Sequence, residues 1–292
     1  MRTFCLYILI GLFIIAEFSS CEKGFIPSDR NVLIVEGWIE AGGYPVIMVS
    51  QSLPVRKRDD AIPLDQISDY VVTWAKVTVS NQDTSVILTG KRDDHYVPGY
   101  IYTTGGLRGV AGKTYNLKVE YGGVEVQSVT TIPLYPPVID TVVYNRLSSD
   151  PENGEITVYV KNVPDRKEYF KSFYTVGTDE RQYLSSYLGV VDDALTDTVF
   201  PMPIIRGITD IDYDEYNRFF PVDSVVSIKI STMDSISYEI WKGYEDNARF
   251  SSSFMSSSIR DIPTNIIGGN GYWCGYNSKT IVRLSWSVVS AM

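Results

Sequence analysis

A single histidine, His95, in 292 residues leaves little for chemistry that moves protons near neutral pH. A Ser-His-Asp arrangement would have to use it, and no Gly-x-Ser-x-Gly elbow occurs in the chain. In "KRDDHYVPGY" Asp93 and Asp94 stand beside it, but zinc sites take three or four ligands, usually His or Cys. His95 therefore reads as an exposed loop residue. Blocks of Lys and Arg are also missing, and the net charge is −9, which argues against nucleic acid as a partner. The cluster "RKRDD" at 56–60 nearly neutralises itself and reads as a solvated loop. The glycines of "GGNGYWCGYNSKT" do not follow the order of a phosphate loop. No cofactor is expected, and the sequence does not read as an enzyme.

Long apolar runs are equally scarce. The one present, residues 4–16, is 13 residues long, whereas a membrane-spanning helix needs about 20. It fits the apolar core of a secretory signal peptide, with Arg2 ahead of it. Small Ser19 and Ser20 then precede Cys21, an ending that resembles the lipobox of bacterial lipoproteins. In those proteins the cysteine thiol is diacylated, the peptide is cut just before it, and the freed amine is acylated. Carried over, residues 1–20 are a cleaved signal and Cys21 is the lipidated first residue, leading into a tether over 21–30. Phe18 stands where the box prefers Leu. The lipid would anchor the protein to a membrane without a helix crossing it.

Cysteine arithmetic is consistent with that reading. Of three cysteines, Cys5 leaves with the signal and Cys21 carries lipid, so Cys274 has no partner for a disulfide. Removal of 20 residues leaves 272, long enough for two domains of ordinary size.

What is abundant is strand pattern. In "AKVTVSN" Val77 and Val79 alternate with polar neighbours. In "KTYNLKVEYGGVEVQSVTT" Tyr115, Leu117 and Val119 form one face, and Gly122-Gly123 supplies a two-residue hairpin turn. With "VLIVEGWIE", "YPVIMVSQSL" and "TSVILTG", these predict an immunoglobulin-like β-sandwich over 31–132. Pro133, Pro136 and Pro137 deny the backbone its ladder donors, so 133–137 reads as a linker. A second β-rich, sandwich-like domain over 138–292 is expected from "VIDTVVYN", "EITVYVKN", "YFKSFYTV" and "SVVSIKIST". One helix is predicted near 234–247, with Asp234 as N-cap and Ile236, Ile240, Trp241 and Tyr244 on one face. Gly243 weakens its interior. The chain closes on a strand, "TIVRLSWSVV". The fold class is thus mostly β with one packed helix.

Two features invite a ligand. Asp210, Asp212 and Asp214 share the spacing of the first half of an EF-hand loop, but Glu215 stands where Gly is needed and Pro221 replaces the closing Glu. They are the candidate metal residues, set against a solvated strand. The 21 tyrosines and 5 tryptophans suit strands and cores, yet "HYVPGYIY" and "GYWCGY" are where exposed rings are most expected. Tyr96, Tyr100, Tyr102, Tyr272 and Trp273 are accordingly the candidate ligand-binding residues.

"PTNIIGGNGYWCGY" resembles the C-terminal signature of the surface-lipoprotein family known as domain of unknown function 4249. Asn265, Ile266, Gly268, Gly269, Gly271, Tyr272 and Trp273 carry the match. The opening "CEKGFIPSDRNVLIVEGWIEAGGYPVIMVSQSLP" and the helix "DSISYEIWKGYE" are similar to further family segments. The resemblance implies an outer-membrane lipoprotein of Bacteroidota type, at the cell surface or on the periplasmic face. It also implies association with a TonB-dependent receptor that imports nutrients. A surface adhesin or fimbria-like component is the alternative. Asn265, Gly268, Gly269 and Gly271 read as a tight turn rather than a contact surface.

Overall fold

A computed structural model describes residues 32–52, 68–177, 183–192, 198–207, 217–251 and 262–284. Cys21, the signal and tether segments, and Asp210, Asp212 and Asp214 lie outside these residues.

Period-two sequence becomes strand wherever one face can be buried. The first strands are β1 (Leu33–Glu40), β2 (Val46–Gln51), β3 (Lys76–Ser80), β4 (Ser85–Ile87), β5 (Thr89–Arg92) and β6 (Tyr100–Thr103). They are followed by β7 (Thr114–Tyr121) and β8 (Val124–Thr131). The segment expected as one strand, "TSVILTG", is broken at buried Leu88. Here the chain leaves one sheet for the other, since β4 pairs with β3 and β5 with β6. Two layers result. Leu33, Val35, Ile39, Ile47 and Val49 of one meet Val77, Val79, Tyr115, Leu117, Val119 and Val126 of the other in a single core. Tyr121 pairs with Val124 across Gly122-Gly123, both at positive φ, as a two-residue hairpin requires.

The remaining strands are β9 (Ile139–Arg146), β10 (Asn153–Lys161), β11 (Tyr169–Val176), β12 (Leu184–Asp192), β13 (Val199–Ile204), β14 (Phe220–Pro221), β15 (Val226–Met233) and β16 (Asn270–Leu284). A second core gathers Ile156, Val158 and Val160 of β10, Phe170 and Tyr174 of β11, and Phe200 and Met202 of β13. Ile228 and Ile230 of β15 complete it. The architecture is therefore almost all β, in sandwich-like layers.

One strand serves both cores. β16 pairs in parallel with β1 through residues 270–276 and antiparallel with β15 through 277–284. Trp273 sits in the first core, while Ile281 packs against the second. An eight-stranded sheet thereby runs β12-β11-β15-β16-β1-β2-β6-β5, joining strands from both sides of the proline-rich stretch. That stretch is itself fastened. Asn277 Nδ2 donates to the carbonyls of Pro133 and Leu134 at 2.9 and 3.2 Å, and Thr232 Oγ1 donates to that of Tyr135 at 2.7 Å.

The helix is α1 (Ser235–Ser251), longer than expected. Asp234 caps it, its Oδ1 accepting from Ser237 N at 2.7 Å. Ile240, Trp241 and Tyr244 pack inward, but Ile236 is 53% exposed. The inward stripe is centred between Ser237 and Trp241, about a third of a turn away from Ile236. Gly243 is the residue required there rather than a weakness, because a Cβ would lie 2.7 Å from Pro263 Cδ.

Candidate functional site

The long sheet has two unlike faces where β1 and β16 run side by side. Alternation sends Leu33, Val35 and Ile39 into the first core and leaves Glu36, Trp38 and Glu40 on the other face. The register places Glu36 beside Tyr272, Trp38 beside Cys274 and Glu40 beside Tyr276. On this second face lie α1 and a third cluster: Met233, Tyr238, Ile240, Tyr272, Cys274 and Tyr276, with half-buried Trp38, Phe173, Trp241 and Tyr244 against it.

Rings form a continuous network. Phe173 meets Trp241 and Tyr276 edge-on at 6.4 and 5.7 Å between centroids, and Trp241 lies 5.4 Å from Tyr272. Trp241 Nε1 donates to Tyr276 Oη at 2.6 Å, so the indole is fixed. Charge is built into the same face. Lys171, wholly buried, donates to Glu245 Oε1 at 3.0 Å and to Ser186 O at 3.1 Å, with the Trp241 ring 4.9 Å away. Burial pushes its ammonium below the usual lysine range despite Glu245. Lys229 pairs with Glu40 at 3.2 Å and lies over the rings of Tyr183 and Phe173.

Burial alone raises the Glu36 carboxyl above its ordinary range. The unfolded chain ionises this group first as pH rises, so it subtracts stability above the unfolded value of about 4.3 and nothing well below it. Glu36→Gln is therefore expected to raise the melting temperature at pH 7, with the gap closing below about pH 4; a melting series across pH checks this. The Cys274 thiol, buried among rings, is pushed up to about 12 and is chemically inert at neutral pH.

The turn between β5 and β6 closes the border of this face. Lys91 and Arg92 at the end of β5 and Asp93, Asp94, His95 and Tyr96 of the turn line a cleft of about 600 Å³. Tyr96 sits 5.9 Å from the Trp38 ring, carrying the aromatic surface up to the cleft. Asp93 Oδ1 is 2.7 Å from His95 Nδ1, and Oδ2 accepts from Lys91 Nζ at 3.1 Å. Those hydrogen bonds, His95 first and Lys91 next, hold its carboxyl down at about 2. His95 is thus a half-buried turn residue rather than an exposed one. Among the described residues no three His, Cys, Asp or Glu converge as metal ligands.

The expected ligand-binding rings separate. Tyr96 borders the cleft. Tyr100 is half-buried and donates to Thr73 O at 3.0 Å. Tyr102 is buried, donating to Val72 O and accepting from Ala75 N. These two tie the 72–75 crossing to the sheet. Tyr272 and Trp273 are buried, the indole of Trp273 donating to Tyr115 O at 3.1 Å. Exposed rings were expected in "GYWCGY"; they are covered because a central strand has a core on one side and α1 on the other. Trp38, Phe173 and Lys171 were not singled out in the sequence, and Trp241 only as part of the helix's apolar face. Lys171 inside apolar "YFKSFYTV" was the available signal.

Asn265 accepts from Trp273 N at 2.9 Å and donates to Trp273 O at 2.8 Å, mimicking a strand partner. Gly268 and Gly271 have positive φ, and a Cβ on Gly269 would lie 2.6 Å from Leu33 O. No described helix is long and apolar enough to cross a membrane. No curated protein matches the chain. A family described as "Domain of unknown function (DUF4249)" matches residues 23–281, which take in β1, the β5–β6 turn, α1 and the glycine turn before β16, and the chain belongs to that family.

Proposed function

We propose that the protein is a non-enzymatic, lipid-anchored component of the outer membrane that presents a ligand to a TonB-dependent receptor. Cys21 is its anchor, and the surface bordered by Trp38 and Tyr96 is its contact site. The observation that carries this reading is the half-buried aromatic floor running into a charged cleft. Rings on a fixed sheet offer large contact area at small entropic cost, and charged walls fix orientation. The first sandwich is read here as immunoglobulin-like, a scaffold that displays such loops.

Affinity recovery of the native protein from outer membranes tests the reading. A TonB-dependent receptor is expected to co-purify with the full chain. Trp38→Ala and Tyr96→Ala are each expected to weaken that association about tenfold or more, as for a central aromatic contact. Recovery of the protein alone would overturn it. Cys21→Ser, followed with a fatty-acid probe, is expected to lose the label and the membrane fraction.

A further inference from the structure

Trp74 is 89% exposed, the most exposed of the large apolar side chains described, and its neighbourhood explains why. It lies on the crossing from the first sheet to the second. Val71 bridges Ser50 and Val72 N donates to Val49 O, placing the start of this crossing beside the first residues of β1. The crossing ends at Lys76, opposite Glu120, just before the Gly122-Gly123 hairpin tip. Trp74 therefore belongs to the end of the first sandwich at which β1 begins.

Two other apolar side chains share that end. Val124, first residue after the hairpin turn, is 40% exposed. Ile267, 74% exposed, pairs with Gln127 in the turn whose Gly269 approaches both Leu33 O and Val126. Beside them, Lys76 and Lys118 are paired with Glu120 and Glu125 at 2.8–3.4 Å, so these four charges compensate one another. The same end receives the chain from its N-terminal segment, since Val32 precedes β1 and is bonded to Ser52.

We propose that Trp74, Val124 and Ile267 form a membrane-seating surface, which inserts into the headgroup layer of the bilayer that holds the lipid. The inference rests on the Cys21 anchor proposed above. The 11 residues from Cys21 to Asn31 span at most about 40 Å, so this end cannot leave the bilayer's vicinity. Tryptophan is the side chain best suited to that boundary, with an apolar body and a polar N–H. A shallow insertion of about 5–10 Å suffices for three such side chains. A lipid with no seat would let the domain swing; these contacts fix which end faces down.

The mature acylated protein is reconstituted into phosphatidylethanolamine–phosphatidylglycerol vesicles, plain or with brominated acyl chains, and tryptophan fluorescence is compared. Bromine is expected to quench the wild type, and Trp74→Phe is expected to lose about half of that quenching or more. Ile267→Ser, which leaves Trp74 in place, is expected to reduce it as well. Fatty-acid labelling of Cys21 is read on the same samples. A labelled protein whose quenching is unchanged by Trp74→Phe overturns the membrane seat, leaves the anchor standing, and turns the patch toward a protein partner. An unlabelled protein that is still quenched through Trp74 overturns the anchor and supports the seat. Absence of both overturns both.

Discussion

A Gly271→Val chain is expected to lose about 3 kcal/mol of stability or more, a large share of the 5–15 kcal/mol typical of a folded domain. Two costs add. Gly271 has φ of 109°, a region that β-branched residues avoid. A Cβ there would also lie 2.0 Å from Val35 O, a backbone atom that cannot move aside. Relief requires β1 and β16 to part, and that parallel pair holds the first core to the rest of the long sheet. Urea unfolding measures the loss. Gly105→Ala is the control, since nothing lies within 4 Å of its Cβ and its φ is ordinary; it is expected to shift the midpoint little. An unshifted midpoint for Gly271→Val would show that β1 and β16 are not so closely paired.

Glu245→Ala carries the second large effect, about 3–5 kcal/mol, the usual result of stripping a buried charge of its partner. Lys171 is wholly buried, and the Glu245 side chain is only 12% exposed. Without the carboxylate, the ammonium keeps, among the described residues, Ser186 O and the Trp241 ring. The pH dependence gives the test its direction. Burial already depresses the folded-state pKa of Lys171 below its unfolded value. Between those two values the unfolded chain binds more protons, so stability rises with pH for this group. Loss of Glu245 widens that window. The variant's deficit against wild type is therefore expected to shrink as pH climbs from 7 toward about 10. Alkaline losses from Cys274 and Tyr272, whose pKa values burial raises, occur in both proteins and cancel in the comparison. Lys171→Met combined with Glu245→Leu is expected to recover most of the loss, because the site then holds only apolar groups. A deficit independent of pH would mean that Lys171 is not held charged against Glu245.

Local signals were legible where a few neighbouring residues decide the outcome. The hairpin around Gly122-Gly123 is one, because glycine at two positive φ positions and alternation on both arms agree. Asp234 as a helix cap is another, since its carboxylate reaches only the next turn. The break of "TSVILTG" at Leu88 was not legible, because alternation continues while the partner sheet changes. Ile236 was misplaced for a similar reason: helical spacing gives a stripe, and only the sheet beneath fixes its centre. The site suffered most. Its rings come from β1, β11, α1, β16 and the β5–β6 turn, and nothing local marks Trp38, Phe173 and Tyr96 as neighbours of one surface.

The strand-rich pattern and the Asp234-capped helix could be read from the residues themselves, as could the single histidine and the missing Gly-x-Ser-x-Gly elbow. The sequence also held the glycine-rich turn before β16, which lies within the segment matched by the family. Only the tertiary structure decided that "GYWCGY" is core rather than surface. The same strand presents Trp273 to one core and Cys274 to another, and residue type cannot say that both faces are covered. The physical reason is that alternation records how many faces are apolar, whereas burial depends on which distant strand arrives. Here that strand is β1, more than two hundred residues earlier in the chain.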